Sequence, residues 1–262
     1  MSPKSMFKYE HLPQLKHKPF RQHIVVLSGA GMSAESGLPT YRDEGGLWKE
    51  FDWEKLASAS AFYENPEAVL NFTNYLRHQV SKAEPNHAHR LLAELEQWHD
   101  VTIITQNVDD LHERAGSTNV IHLHGELTKV TSSDDRTNPE CIQELPLDVP
   151  IRVGDKAADG SQLRPHIVWF GEFLTGFDKA EKIVRNADIF VVIGTSLTVY
   201  PAASLIRYAH PEVPKFIINP SDAFNACDSE AIEGYEHIKQ VATTGVEVFI
   251  DRLIELCQMT TL

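Results

Sequence analysis

Three groups of residues in this 262-residue chain have the types and spacing to do chemistry. The first is residues 29–48, Gly-Ala-Gly-Met-Ser-Ala-Glu-Ser-Gly-Leu-Pro-Thr-Tyr-Arg-Asp-Glu-Gly-Gly-Leu-Trp, which follow the apolar Ile-Val-Val-Leu of 24–27. A buried strand feeding Gly29-Ala30-Gly31 is expected to bring bare backbone N–H groups to a helix N-terminus, where dipole and donors favour a pyrophosphate. Such a turn alone also serves packing. The continuation through Tyr41, Arg42, Asp43 and two more glycines exceeds what closing a turn requires, and has the makeup of a lid over a ligand. The second group is Gln106-Asn107-Val108-Asp109, at the end of the β-branched run 101–105. Asn107 and Asp109, two apart, point to one side if extended; either could instead cap a helix starting near Asp110. The third is His122-Leu123-His124-Gly125. An imidazole, with an ordinary pKa of about 6.5, suits general-base work, although an isolated histidine beside glycine is often structural.

The elements that must position these groups are legible as short apolar runs and helical patterns. Residues 24–27, 101–104, 121–123, 167–170, 189–193 and 216–218 read as buried strands. Val69, Phe72, Leu76 and Val80 recur at helical spacing, as do Ala88, Leu91, Leu92, Leu95 and Trp98, and Phe249, Ile250, Leu253, Ile254 and Cys257. Strands alternating with helices predict an α/β fold, a parallel sheet covered on both faces. Two stretches interrupt the alternation, residues 48–83 and the Asp-, Pro- and Ser-rich 128–163.

At these residues the chain resembles the sirtuins, NAD-dependent protein-lysine deacylases. The resemblance runs from about Val25 to Val248, through the Gly-Ala-Gly loop, Thr-Gln-Asn-Val-Asp (105–109), His124-Gly125, Val168-Trp169-Phe170-Gly171-Glu172, Gly194-Thr195-Ser196 and Ile218-Asn219-Pro220, in the family's order. It implies a Rossmann-like doubly wound parallel sheet over 21–47, 84–127 and 164–257. A smaller domain would be built from the insertions 48–83 and 128–163, with 1–20 as an N-terminal arm.

The resemblance also implies roles. NAD, a co-substrate, would lie against Gly29, Ala30, Gly31, Ser33, Ala34, Glu35, Tyr41, Arg42 and Trp48, then Gln106, Asn107, Val108 and Asp109. Gly194, Thr195, Ser196, Asn219, Pro220, Ser221 and Ala242 would complete that site. His124, selected over His122 by the glycine that follows it, would be the general base, acting through ribose hydroxyls with Asn107 and Asp109. The acyl group would pass from lysine to ADP-ribose with release of nicotinamide. Residues 168–172 would add main-chain hydrogen bonds to an extended acyl-lysine peptide, with Val168 and Phe170 lining the acyl-lysine tunnel.

The chain departs from the family in two places. Zinc-binding sirtuins carry two Cys-x-x-Cys pairs in the second insertion; here the four positions align with Ser132, Asp135, Lys156 and Asp159, and an ammonium in the shell would repel the ion. No structural zinc is expected. Lys156 pairing with Asp135 and Asp159, over packing by Cys141, Ile142, Leu145 and Val153, would close the insertion instead. Members specialised for succinyl- or malonyl-lysine carry Tyr-x-x-Arg on the helix after the cofactor loop, and Thr73 and Leu76 hold those positions here. Tyr75 and Arg77 lie two residues on, which turns a helical side chain by roughly 200°. Uncharged acyl groups, acetyl first, are therefore expected.

Composition bounds the remaining possibilities. A net charge of −13 opposes non-specific nucleic-acid binding, and 42% hydrophobic residues suffice for a core. Cys141, Cys227 and Cys257 form no Cys-x-x-Cys pair, which fits a reducing compartment. No signal-like start or membrane-length apolar run is present, so the expected location is the cytoplasm, with no membrane partner. Composition is silent on oligomeric state. A mono-ADP-ribosyltransferase would use the same NAD site, and a desuccinylase the same chemistry. An NAD-sensing module would need no base, and no hydride-transfer set such as Tyr-x-x-x-Lys supports a dehydrogenase.

Overall fold

The computed structural model describes residues 21–42, 45–222 and 232–259; the arm 1–20, Asp43 and Cys227 lie outside the described residues. The strands are β1 His23–Ser28, β2 Asp100–Thr105, β3 Val120–His122, β4 Gly125–Ser132, β5 Gln143–Glu144, β6 Leu163–Ile167, β7 Ile189–Ile193, β8 Lys215–Ile218 and β9 Tyr235–Ile238. Helices are α1 Gly31–Ala34, α2 Leu47–Glu50, α3 Trp53–Leu56, α4 Ala59–Glu64, α5 Pro66–Lys82, α6 His87–Leu95, α7 Leu111–Ala115, α8 Phe177–Arg185 and α9 Ala242–Met259, with a 3₁₀ helix at Ala202–Arg207.

Six strands form one sheet in the order β3-β2-β1-β7-β8-β9, every pair parallel. The chain reverses direction of travel across the sheet between β1 and β7, and ligand crevices open at such points. Alternation along the strands divides the core. Ile24, Val26, Ile103 and Val191 pack toward α6 and α9, while Val25, Leu27, Ile104 and Val192 pack toward α8 and the 3₁₀ helix. Both faces are thus covered, as the alternation of elements predicts.

One expected strand moves. Residues 167–170 do not join the parallel sheet; β6 ends at Ile167 and pairs antiparallel with β4 in a separate three-stranded sheet, β5-β4-β6. An apolar run has no direction, so its sheet cannot be read from composition. β9, with only Tyr235 and Ile238 apolar among Tyr-Glu-His-Ile, carries too weak a signal to anticipate.

The two insertions share a third core, in which Ala61, Phe62, Val69 and Leu70 from α4 and α5 meet Leu127, Val130, Ile151, Ala157 and Leu163. Arg77 ties them further. Fully buried on α5, its guanidinium donates to the carbonyls of Leu127, Leu145, Pro146 and Val149. Beside it, Asn74 accepts from the Ile151 amide and donates to its carbonyl.

Candidate active site

The C-terminal ends of β1, β2, β7 and β8 open into a cavity of ≈ 270 Å³. It is lined by Gly29, Ala30, Gly31, Ala34, Glu35, Tyr41, Arg42, Gln106, Asn107, His124, Gly194, Thr195, Ser196, Asn219, Pro220, Ser221 and Ala242. Of the other residues expected there, Ser33 and Asp109 line a smaller adjoining cavity, Trp48 an apolar one, and Val108 both of these.

The glycines act differently from expectation. Gly29 and Gly31 do not present bare N–H groups, because they donate to the carbonyls of Ile193 and Gly194, at 2.9 and 2.8 Å. Their role is close approach. A Cβ on Gly29 would sit 2.7 Å from the Thr195 Cβ, and one on Gly31 2.8 Å from the Gly194 Cα. Gly194 itself has φ +61° against the Gly31–Met32 backbone. Among the described residues, the amides of Ala30, Thr195 and Ser196 are the ones left without a hydrogen bond at this turn. Glu35 accepts from the Thr243 amide and hydroxyl at the start of α9, fastening that helix to the cavity rim. Asn219 bridges Thr195 and Ser221 by donating to one backbone and accepting from the other.

The turn after β2 is held from every side. Asn107 donates to Gly29 O (3.1 Å) and to Ser33 Oγ (3.0 Å), and its own amide donates to Thr105 Oγ1. Asp109 accepts from Ser33 Oγ at 3.0 Å and from the Leu111 amide at 3.2 Å. Its two oxygens therefore serve both readings, one capping the short α7 and one facing a cavity of ≈ 40 Å³ walled by Ala30, Ser33, Leu38 and Tyr41. Burial pushes the Asp109 carboxyl up to about 6, against the pull of its hydrogen bonds. Tyr41, half-buried and near that carboxylate, rises to about 12 through desolvation and stays a phenol.

His124 stands where the polar cavity at the strand ends meets the apolar one and lines both. Its Nδ1 lies 2.8 Å from the Gln106 carbonyl, an acceptor only, so Nδ1 carries the proton and Nε2 keeps a lone pair. Burial lowers its pKa below the ordinary histidine value, the Gln106 bond works the other way, and the Arg42 charge adds to the lowering. A neutral imidazole with a free nitrogen at a cavity junction can take a proton. His122 is built oppositely, its Nδ1 2.9 Å from Asn107 O and its Nε2 2.8 Å from Glu113 Oε1.

The apolar cavity, ≈ 200 Å³, is walled by Trp48, Phe72, Leu76, Val168, Phe170 and Leu174, with Thr73, Trp169, Gly171 and Glu172 also lining it. Trp48 carries the loop across it by packing on Tyr41, Phe72 and Phe170. Trp169 belongs mostly to the core, packed on Phe62 with the Arg164 guanidinium 3.4 Å from its ring centre. Glu172 accepts from both Arg164 amino groups and from the Trp169 amide, so an ion pair fixes the 168–172 segment from behind. Arg77, facing the insertion's carbonyls, contributes no charge to this cavity.

The insertion closes by a different device from the expected ion pairs. Lys156 is exposed and makes no ion pair among the described residues. Asp135 accepts from the amide and hydroxyl of Thr137, and Asp159 is held down to about 2 by the hydroxyls of Ser132 and Ser161. Ser132 Oγ lies 2.8 Å from Ser161 Oγ and accepts from the amides of Asp134 and Asp135. Short hydroxyl side chains beside a turn find backbone donors sooner than a long lysine finds a partner. Val153, expected to pack, is 56% exposed, and Ile151 takes its place. The four aligned positions thus hold a hydroxyl bonded locally, two carboxylates turned to other donors and an exposed ammonium.

Sequence reasoning missed several lining residues. Val199, Tyr200 and Pro201 follow the Gly194-Thr195-Ser196 motif closely enough that extending the motif would have found them. Thr40 and Ile218 sit inside motifs named above without having been assigned to the site, while Phe72, read as core, and Val241 gave no separable signal.

Comparison with known proteins agrees with this geometry. The Sir2 family model matches residues 29–201. A Bacteroides thetaiotaomicron protein named NAD-dependent protein deacylase is 50% identical over 228 residues, spanning 84% of this chain and 97% of that one. Among solved structures, a Sir2 homologue mutant in complex with ADP-ribose is similar with TM-score 0.77 and 35% identity, covering 97% of this chain and 98% of the other. A Sir2 homologue–NAD complex gives TM-score 0.74 and 37% identity, covering 95% and 93%. The chain belongs to the Sir2 family.

Proposed function

We propose that this protein is an NAD-dependent protein-lysine deacylase that transfers the acyl group of an acylated lysine to ADP-ribose and releases nicotinamide. The observation that carries this reading is the position of His124, whose ring borders both the polar cavity at the strand ends and the apolar cavity beneath Trp48. NAD, when bound, supplies a glycosidic bond to be cleaved and the ribose hydroxyl that accepts the acyl group. The first cavity would take its adenosine and phosphates along Gly194, Thr195, Ser196, Asn219, Pro220, Ser221 and Ala242, with Arg42 opposite. Ser33, Asn107 and Asp109 would face the nicotinamide end. The His124 Nε2 would accept the proton from a ribose hydroxyl, while the Gln106 carbonyl holds the tautomer.

The apolar cavity would hold the acyl-lysine, with residues 168–172 offering their backbone to an extended peptide. Thr73 and Leu76 line its wall, no cation reaches it from α5, and Arg42, its one cationic lining residue, is shared with the polar cavity, which favours uncharged acyl groups, acetyl first. Initial rates on acetyl and succinyl versions of one peptide test this; faster desuccinylation would defeat it. A mono-ADP-ribosyltransferase would leave the apolar cavity without a role. The two insertions, 48–83 and 128–163, would constitute a small domain closed without metal, which elemental analysis checks. An acidic chain with three cysteines and no membrane-length helix among its described residues is consistent with a cytoplasmic site of action. The decisive assay is nicotinamide release from NAD with and without an acetylated peptide. Peptide-dependent release should fall by about 10²-fold or more in His124→Ala; release indifferent to peptide or to that substitution would sink the reading.

A further inference from the structure

Three successive carbonyls of the turn after β2 are each taken by a donor from one short segment. His124 Nδ1 lies 2.8 Å from Gln106 O, His122 Nδ1 2.9 Å from Asn107 O, and the Leu127 amide donates to Val108 O at 2.8 Å. The middle donor differs from the others. Both nitrogens of His122 face pure acceptors, the second being Glu113 Oε1 at 2.8 Å, and a neutral imidazole has only one N–H to give. Both contacts can be hydrogen bonds only if the ring is an imidazolium beside a carboxylate.

We propose that His122 is a positioning residue: as a doubly donating imidazolium it fixes the Asn107 carbonyl, and so presents Asn107 and Asp109 to the nucleotide. The inference rests on the deacylase reading above. Asn107 has no slack of its own, since its side chain spans Gly29 O and Ser33 Oγ, and Ser33 in turn donates to Asp109. A carbonyl released on one side would rotate the peptide that carries this triad. The charges around the ring favour the ionised form. Glu113 on α7, Glu126 on β4 and Asp109 in the turn are anionic neighbours; His112 on α7 is held neutral by burial and by the charge of its neighbours, His122 among them, and Lys129 on β4 acts on Glu113. Burial opposes the charge on His122, yet the Glu113 partner carries its pKa above the ordinary histidine value. His124, two residues on, is shifted the other way. One imidazole is held charged to build the site, leaving its neighbour neutral to work in it.

The test uses the full chain with isotope-labelled histidine. In the wild type the nitrogen shifts should report His122 still doubly protonated at a pH where His124 is already neutral; a His122 that loses its proton together with or before His124 overturns the proposal. His122→Asn keeps an N–H toward Asn107 O, whereas His122→Phe keeps a ring and no donor. By calorimetry, His122→Phe should weaken NAD binding by about tenfold or more, and His122→Asn should recover most of it. In the deacylation assay the KM for NAD should rise while that for the peptide holds. Equal damage in both variants, or NAD affinity unchanged in His122→Phe, overturns the proposal. If His122→Phe does not fold, Glu113→Gln decides, because it should lower the His122 titration while the neutral ring keeps its Nδ1–H on Asn107 O, so that NAD binding holds; an unmoved titration overturns the proposal. A wild-type chain that binds NAD but deacylates nothing would fail the deacylase reading alone, since the nitrogen shifts and NAD affinities still decide His122.

Discussion

Asp109→Asn should make this protein more stable and less active, by an amount that depends on pH. The carboxyl is raised from its ordinary 3.8 to about 6, chiefly by burial, so the fold prefers it protonated. That interval corresponds to about 3 kcal/mol. Between about pH 4 and pH 6 the folded chain binds more protons here than the unfolded one, so the Asp109 contribution to stability falls with rising pH and stays low above about 6. An amide does not titrate. Its oxygen can still accept from the Leu111 amide, and the Ser33 hydroxyl can rotate to accept from the new N–H. At about pH 8 the variant should therefore gain about 2–3 kcal/mol, which for a chain of this size is roughly 4–6 °C in Tm, and the gain should vanish near pH 4. Scanning calorimetry of both proteins across that range, with nicotinamide release measured in parallel, provides the check. A gain that does not change with pH, or a loss at pH 8, would refute the claim that the carboxylate is kept at the cost of stability. A gain in stability with undiminished nicotinamide release would refute its functional half.

Arg77→Met should lower stability by roughly 3 kcal/mol or more, because several buried carbonyls lose a charged donor at once, and limited proteolysis should then cut within 143–155 first. Tm within about 2 °C of wild type would show that the insertion closes without it. Thr73→Tyr combined with Leu76→Arg should raise the ratio of desuccinylation to deacetylation by about tenfold, by placing a guanidinium in the apolar cavity; an unchanged ratio on paired peptides would show that these positions do not meet the acyl group. Gly31→Ala should cost about 2 kcal/mol or more, since its Cβ has 2.8 Å to the Gly194 Cα, and thermal unfolding with NAD titration would reveal a tolerated methyl as evidence against this contact.

How much of this was legible beforehand depends on whether a residue acts locally. Strands such as residues 24–27 and 189–193 announce themselves because a strand buried on both faces must be apolar throughout. His124 and Asn107 stood out through fixed spacing to their strands, and both reach the cavity. The sequence marks the glycines but not their packing role. Only the structure brings Gly194 against Gly29 and Gly31, so a requirement for close packing looked like one for free donors. Lys156 misled for a related reason: sequence alignment gives its position along the chain but not the Ser132–Ser161 contact that closes the loop without it. His122, set aside beside His124, carries no sequence mark of its two acceptors, one of which lies 15 residues away on another strand's exit.

Because the Arg77 guanidinium grips main-chain oxygens, it asks nothing of the side chains at residues 145, 146 and 149. Any residues whose backbone still converges there would satisfy it. The outer surface of that loop is accordingly free to drift, acquire charge or specialise toward new protein clients, while its anchor on the helix beside the apolar cavity endures.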